Sequence, residues 1–197
     1  MNILSKTLSG ITGLYEEPVK HARARLDNLA KPIGSLGKLE DIAAKMAGIT
    51  GKVHNEIKKK GIIVMCADNG VTEEGVSAAP QSITALLTEN MAKGIMGVCV
   101  LAEKAGADVK VVDIGVKAKF NNERIIDRKI AYGTQNIAKG PAMTREQAIR
   151  AIETGIEMVD KLAGESYDLL GTGELGIGNT TTSAAVLSAL SGLSPDN

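Results

Sequence analysis

A single carboxylate set in a glycine-rich, lysine-free stretch is the feature of this sequence best suited to chemistry. Residues 167–193 read YDLLGTGELGIGNTTTSAAVLSALSGL. Gly171, Gly173, Gly176 and Gly178 fall within eight positions, and Glu174 stands among them. Asn179, Thr180, Thr181 and Thr182 follow, polar residues of the kind that open a helix. The pattern predicts a strand, a glycine loop and a helix. Such a loop leaves N–H groups unpaired next to the positive end of a helix dipole, which suits a phosphate or another anion.

The glycines at 171, 173 and 176 match G-x-G-x-x-G, the dinucleotide-binding fingerprint. That fingerprint also needs an acid at the end of the next strand. Asp196 stands at about the right distance, but in a Ser-Pro turn, so the NAD reading is weak. A P-loop is excluded, because no Lys-Ser/Thr pair follows the glycines. A tight turn that merely lets helix and strand pack closely is the structural alternative. Against it stands the density of polar groups (Thr172, Glu174, Asn179, Thr180, Thr181 and Thr182) at the carboxyl end of a strand, the edge where open α/β sheets bind ligands.

The elements that must position this loop are legible in outline. The first 50 residues have helical composition, with Pro18 suited to a first helical turn, a Pro/Gly loop at 31–37, and Leu39, Ile42, Ala43, Met46 and Ile49 at helical spacing. GIIVMCA (61–67) is a continuous apolar run of strand length, the pattern of a strand buried on both faces of a parallel sheet. A polar loop follows at 68–80. Residues 81–106 read as one long helix, with Gly94 and Gly97 expected to permit close packing on the sheet. ADVKVVDIG (107–115) is a second strand, and 117–141 is irregular. Thr144 with Gln147 forms a capping-box pattern for a helix to about Ala163. Strands alternating with long helices give an α/β fold, a Rossmann-like, mostly parallel sheet flanked by helices with a helical N-terminal segment. The expected division is 1–55 for that segment and 56–197 for the nucleotide-binding core. Three strands are few for such a sheet, and no returning strand follows the last helix. The sheet is therefore expected to be incomplete, the chain being a fragment or needing another chain.

Asp68 also ends a strand, so the loop at 68–81 and the glycine loop should open on the same edge. Asp68, Glu73, Glu74, Ser77 and Gln81 become candidates to share a cleft with Glu174.

Composition excludes several classes. Lys+Arg and Asp+Glu are each 23, which argues against a broad basic nucleic-acid face. Aromatics make up 2%, too few for base-stacking platforms. Unbroken apolar runs fall short of a bilayer span, the start lacks a signal-peptide stretch, and the cytoplasm is the expected compartment. Cys66 and Cys99 sit in apolar segments and read as small buried hydrophobes. His21 and His54 have no Cys, His or carboxylate at ligand spacing, so neither a metal nor a cofactor is expected.

At these same residues a family resemblance emerges. ARLDNLAKPIGSLGKLEDIA, CADNGVTEEGVSAAPQSIT, VVDIGV, GTQNIAKGPAMTREQA and GTGELGIGNTTTSAA resemble, in order, the motifs of nicotinate-nucleotide–dimethylbenzimidazole phosphoribosyltransferases. The match covers nearly the whole chain and roughly the first half of the usual family length. The resemblance implies transfer of phosphoribosyl from nicotinate mononucleotide to 5,6-dimethylbenzimidazole, giving the lower-ligand nucleotide of cobalamin, in a homodimer. It implies that Gly173, Glu174, Gly176, Gly178, Asn179 and Thr180 handle the nucleotide, while Asp68, Ser77 and Gln81 line the base pocket. Asn69 stands where the family usually has His, and Ala79 where it often has Tyr, which removes an aromatic wall. The family's general-base glutamate and phosphate lysine belong to its C-terminal half. Glu174 is then the best catalytic carboxylate present, and a nucleotide-site residue first. The rival readings are a non-catalytic nucleotide-binding or regulatory module of the same half-fold, and a relative with a changed acceptor base.

Overall fold

The computed structural model describes residues 2–194. They fall into two compact units, one up to Lys58 and one from Lys59.

The first unit has three helices and, among the described residues, no strand: α1 (Ile3–Gly10), α2 (Glu16–Asp27) and α3 (Lys38–Thr50). The Asn2 side chain caps α1, accepting from Ser5 N at 2.9 Å. Helices α2 and α3 meet on small side chains, Ala22 against Ala44 and Ala47. Gly48 is small by necessity, since a Cβ there would lie 2.7 Å from Val19 Cγ2. The loop before α3 is pinned by Lys31, whose Nζ lies 2.7 Å from Glu40. That ammonium holds the Glu40 carboxyl below its ordinary value.

The second unit is α/β. It runs β1 (Lys60–Ala67), a 3-10 turn (Gly70–Glu74), α4 (Ile83–Ala92), α5 (Gly97–Ala105), β2 (Ala107–Gly115), β3 (Ile125–Asp127), α6 (Arg145–Gly164), β4 (Leu169–Leu175) and α7 (Asn179–Ser191). The strands form one sheet in the order β3-β2-β1-β4, and every pairing is parallel. The apolar run of β1 is buried on both faces, as its lack of alternation predicts. Val64 and Cys66 pack with Met91, Ala92, Val111 and Ile125 on one face. Ile63 packs with Val112 and with Met158 and Leu162 of α6 on the other. Each fully buried side chain of this size contributes about 1.5–3 kcal/mol. The capping box on α6 is formed, Gln147 N donating to Thr144 Oγ1 at 3.1 Å and Thr144 N to Gln147 Oε1 at 2.9 Å. At the amino ends of the strands Tyr167 is clamped, its hydroxyl donating to Asp108 and its ring lying 4.1 Å beneath Lys59 Nζ.

Four expectations are corrected. The long helix at 81–106 is two helices. Gly94 takes φ +83°, and Ile95 N donates back to Asn90 O at 3.2 Å, a glycine stop of the Schellman type. Gly94 therefore ends a helix rather than easing packing, and nothing lies within 4 Å of a Cβ at either Gly94 or Gly97. Ile83–Ala105 is long and apolar enough to cross a membrane by composition, with mean hydropathy 1.3; here it is broken, and both halves pack against the sheet. The irregular stretch hides β3, a strand of 3 residues, too short to show any periodicity. Finally, Cys66 is fully buried, which pushes its thiol up to about 11, whereas Cys99 is half-buried. Asp196 lies outside the described residues.

Candidate functional site

The chain runs outward from β1 to β2 and β3, then α6 carries it back to β4 on the other side of β1. Strand order thus reverses at the β1/β4 pair. A crevice opens outside the carboxyl ends of strands at such a reversal, and open α/β sheets bind ligands there. The two loops singled out by sequence leave from these two neighbouring strands. Met65 pairs with Glu174 and Cys66 with Leu175, so Gly176 follows directly on the last paired rung and Asp68 one residue beyond it, after Ala67.

The glycine loop is shorter than the spacing predicts. Gly171 and Gly173 are strand residues, paired with Ile62 and Val64; a Cβ on either would meet those side chains at 3.5 and 3.3 Å. The G-x-G-x-x-G match therefore does not form a dinucleotide turn, and the loop proper is 176–178. Gly176 is required by close approach, since a Cβ would stand 2.2 Å from Ala67 O. Gly178 is required by conformation, at φ +84°. It also occupies the N-cap position of α7, so no side chain caps the helix. Asn179 and the threonines fall inside the first turn, where Thr182 Oγ1 donates to Asn179 O at 2.9 Å. The result is a helix start at which Asn179 N turns back to Gly176 O at 3.0 Å while the N–H groups of Thr180 and Thr181 have no side-chain cap, as anion binding needs. Glu174 is exposed at the end of β4 and accepts a hydrogen bond from Asn179 Nδ2. Thr180, Thr181, Ala184, Ala185, Ser188 and Ala189 line an open space of about 690 Å³ that continues from this turn.

The loop after β1 is held from several sides. Asp68 is 2% exposed. Its N–H donates to Gly115 O at 3.0 Å, its carbonyl accepts from Thr134 N at 3.0 Å, and its Oδ2 accepts from Lys117 N at 2.7 Å. Oδ1 is buried with no hydrogen-bond partner, an acceptor left for a ligand or solvent donor. Gly70 N donates to Thr134 Oγ1 at 3.0 Å. Beyond it, Asn136 Nδ2 donates to Glu74 Oε1 at 2.6 Å, and Lys139 Nζ lies 3.0 Å from Glu73 Oε2. Lys139 first and Asn136 second hold the Glu73 carboxyl below its ordinary value; for Glu74 the order is reversed.

Gln81 braces the β1 loop from within, its Nε2 donating to Asn69 O at 3.3 Å, and Asn69 reaches across to Ile177 and Thr182. The Ser77 hydroxyl turns inward to accept from Ala79 N at 3.2 Å, and no bond links it to the glycine loop. Of the predicted residues, Gly176, Gly178, Asn179, Thr180, Glu174 and Gln81 are thus gathered at one edge, with Asp68 buried beneath. Among the described residues no group of three or more His, Cys, Asp or Glu converges as metal ligands would.

Two supports escape a reading of the sequence, one of them a pair of threonines. Thr84, fully buried in α4, accepts from Ile177 N at 3.0 Å, and Thr88 donates to Thr84 O at 2.8 Å. Their signal is two hydroxyls four residues apart in the otherwise apolar stretch 83–88. Asp113 of VVDIGV is the other. It holds the turn after β2 by accepting from Val116 N at 2.9 Å and pairing with Lys129 at 2.6 Å.

Comparison with known proteins bears directly on this edge. Residues 11–197 match the DBI_PRT family model, described as phosphoribosyltransferase. A nicotinate-nucleotide–dimethylbenzimidazole phosphoribosyltransferase of Clostridium tetani is 59% identical over 196 residues, covering 100% of this chain and 54% of that protein. The enzyme of the same name from Acetivibrio thermocellus is 52% identical, over 99% of this chain and 56% of that protein. A crystal structure of the Thermus thermophilus enzyme superposes with a TM-score of 0.89 at 40% identity, covering 91% of this chain and 55% of that one. The chain therefore spans about half the length of the relatives it matches.

Proposed function

The chain belongs to the DBI_PRT phosphoribosyltransferase family, and from that premise we propose that its β1/β4 edge is the nucleotide side of a phosphoribosyl-transfer site. In this reading the phosphate of nicotinate mononucleotide sits on the open N–H groups at the start of α7. Glu174, oriented by Asn179, lies beside the ribose. Gln81 and Ser77 line the wall for a benzimidazole-type base, with Asp68 below. The bond between ribose C1′ and the nicotinate nitrogen breaks as a bond from C1′ to the base nitrogen forms. The leaving pyridinium is already cationic and departs as neutral nicotinate-ring nitrogen without an acid. The base N–H proton passes to a carboxylate; Glu174 is the exposed candidate in this chain. Holding both substrates in one crevice supplies much of the rate. Homodimeric assembly goes with this reading by family resemblance, and a cytoplasmic compartment without nucleic-acid or membrane partners goes with it on charge and composition.

The observation that carries the proposal is the junction of two loops at the strand-order reversal, with Gly176 fitted against the backbone of Ala67. Glu174→Ala is expected to weaken nicotinate mononucleotide binding in a calorimetric titration while leaving the melting temperature within a few degrees. Unchanged affinity would sink the assignment of Glu174. A second reading, a nucleotide-binding module without turnover, is favoured by the engagement of the Glu174 carboxylate with the Asn179 amide. Measurable nucleotide binding with no phosphoribosyl transfer to benzimidazole supports it; transfer by this chain excludes it.

A further inference from the structure

We propose that Asn69 is a positioning residue that sets the gap between the two walls of the crevice; the proposal rests on the nucleotide-site reading above. Asn69 bonds to both walls at once. Its carbonyl accepts from Gln81 Nε2 at 3.3 Å and from Thr72 Oγ1 at 2.9 Å, both in the β1 loop. Its side-chain amide crosses to the other wall. Nδ2 donates to Ile177 O at 3.1 Å, and Oδ1 lies 3.3 Å from Thr182 Oγ1, whose single proton it shares with the nearer Asn179 O at 2.9 Å. The orientation of the amide follows from chemistry: a backbone carbonyl only accepts, so the NH₂ must face Ile177. Gly176 makes room for it, since a Cβ there would stand 2.8 Å from Asn69 Nδ2.

This link matters because α7 has little else to hold it. None of its residues is buried. Its first turn is fixed to the sheet by the Asn69 amide, by Ile177 N on Thr84, and by the fit of the glycines. The open N–H groups proposed to receive the phosphate are therefore aimed by the Asn69 amide without Asn69 touching the nucleotide. An asparagine suits the task because one planar group donates and accepts side by side. Aspartate keeps the acceptor for Thr182 but sets a carboxylate oxygen against the Ile177 carbonyl.

The test uses the 197-residue chain with Asn69→Ala, Asn69→Asp and Thr182→Val, and nicotinate mononucleotide as the probe. Hydrogen exchange at the amides of residues 177–182 in the free protein is expected to quicken in both Asn69 variants and less in Thr182→Val, with strands β1 and β2 unchanged. Nucleotide affinity is expected to fall about tenfold in Asn69→Ala, the size of one to two lost hydrogen bonds. Exchange at 177–182 that matches wild type in Asn69→Ala overturns the proposal, as does its quickening equally across the whole sheet. If wild type itself binds no nucleotide, the nucleotide-site reading fails, while the exchange comparison still decides the role of Asn69. Should Asn69→Ala not fold, Thr182→Val carries the same comparison on one bond.

Discussion

The two walls of the crevice are built to opposite standards. The loop after β1 is bonded into its surroundings through Asp68, Gly70 and Asn136, which tie it to the turns following β2 and preceding α6. The loop after β4 leads into a helix with no fully buried residue, with Val186, Leu187 and Leu190 all more than half exposed. The first wall is part of the scaffold; the second hangs from it by a few polar bonds and two obligatory glycines. A glycine-containing loop thus serves rigidity in one place and presentation of a helix terminus in the other.

Substitutions at paired positions break or sharpen this contrast. Gly70→Ala should have the largest effect on stability. Its Cβ would lie 2.5 to 2.7 Å from the backbone of Thr134, Gln135 and Asn136, on a wall that cannot yield. A loss of about 1–3 kcal/mol is expected in urea denaturation. Gly176→Ala meets Ala67 O at 2.2 Å, but its wall can swing. Stability should fall by only about 1 kcal/mol while nucleotide affinity falls tenfold or more, because moving α7 exposes little that was buried. An equal stability loss from the two substitutions would erase the distinction. Thr84→Val removes the buried acceptor of Ile177 N–H and should cost about 1 kcal/mol, accompanied by faster exchange at residues 177–180.

The smallest effect belongs to the latch of Lys139 with Glu73 and Glu74. Both carboxyls titrate below their ordinary 4.5 in the folded protein. Their contribution is therefore present above that value and lost as pH falls through the lowered ones. The Lys139 and Glu73 side chains are 64% and 57% exposed, so solvent and salt screen the pair. Lys139→Met should slightly flatten the fall in melting temperature as pH drops below 4.5, and added salt should mimic it in wild type. A large drop at neutral pH would show that the β1 wall depends on this surface pair.

The α/β core was legible because its signals are local. A continuous apolar run marks β1, and Thr144 with Gln147 marks the start of α6. What stayed hidden was set by tertiary context. Gly171 and Gly173 look like loop residues in sequence, yet pairing with β1 keeps them in a strand, where their missing side chains admit Ile62 and Val64. Gly94 reads as a packing glycine and is a helix stop, since only the backbone reveals its positive φ. At the site, the candidate residues could be picked out from loop composition and family motifs. The supports could not: Thr84 and the Asn69 amide act through contacts 93 and 108 residues away in the chain.

The most direct test of the crevice is a hydrogen-exchange footprint of the chain with and without saturating nicotinate mononucleotide. Protection gathered at residues 176–182 and around Asp68 and Gln81, with the amino ends of the strands near Tyr167 unchanged, is the predicted result. Protection elsewhere, or tight binding that leaves 176–182 untouched, would contradict the assignment of the β1/β4 edge.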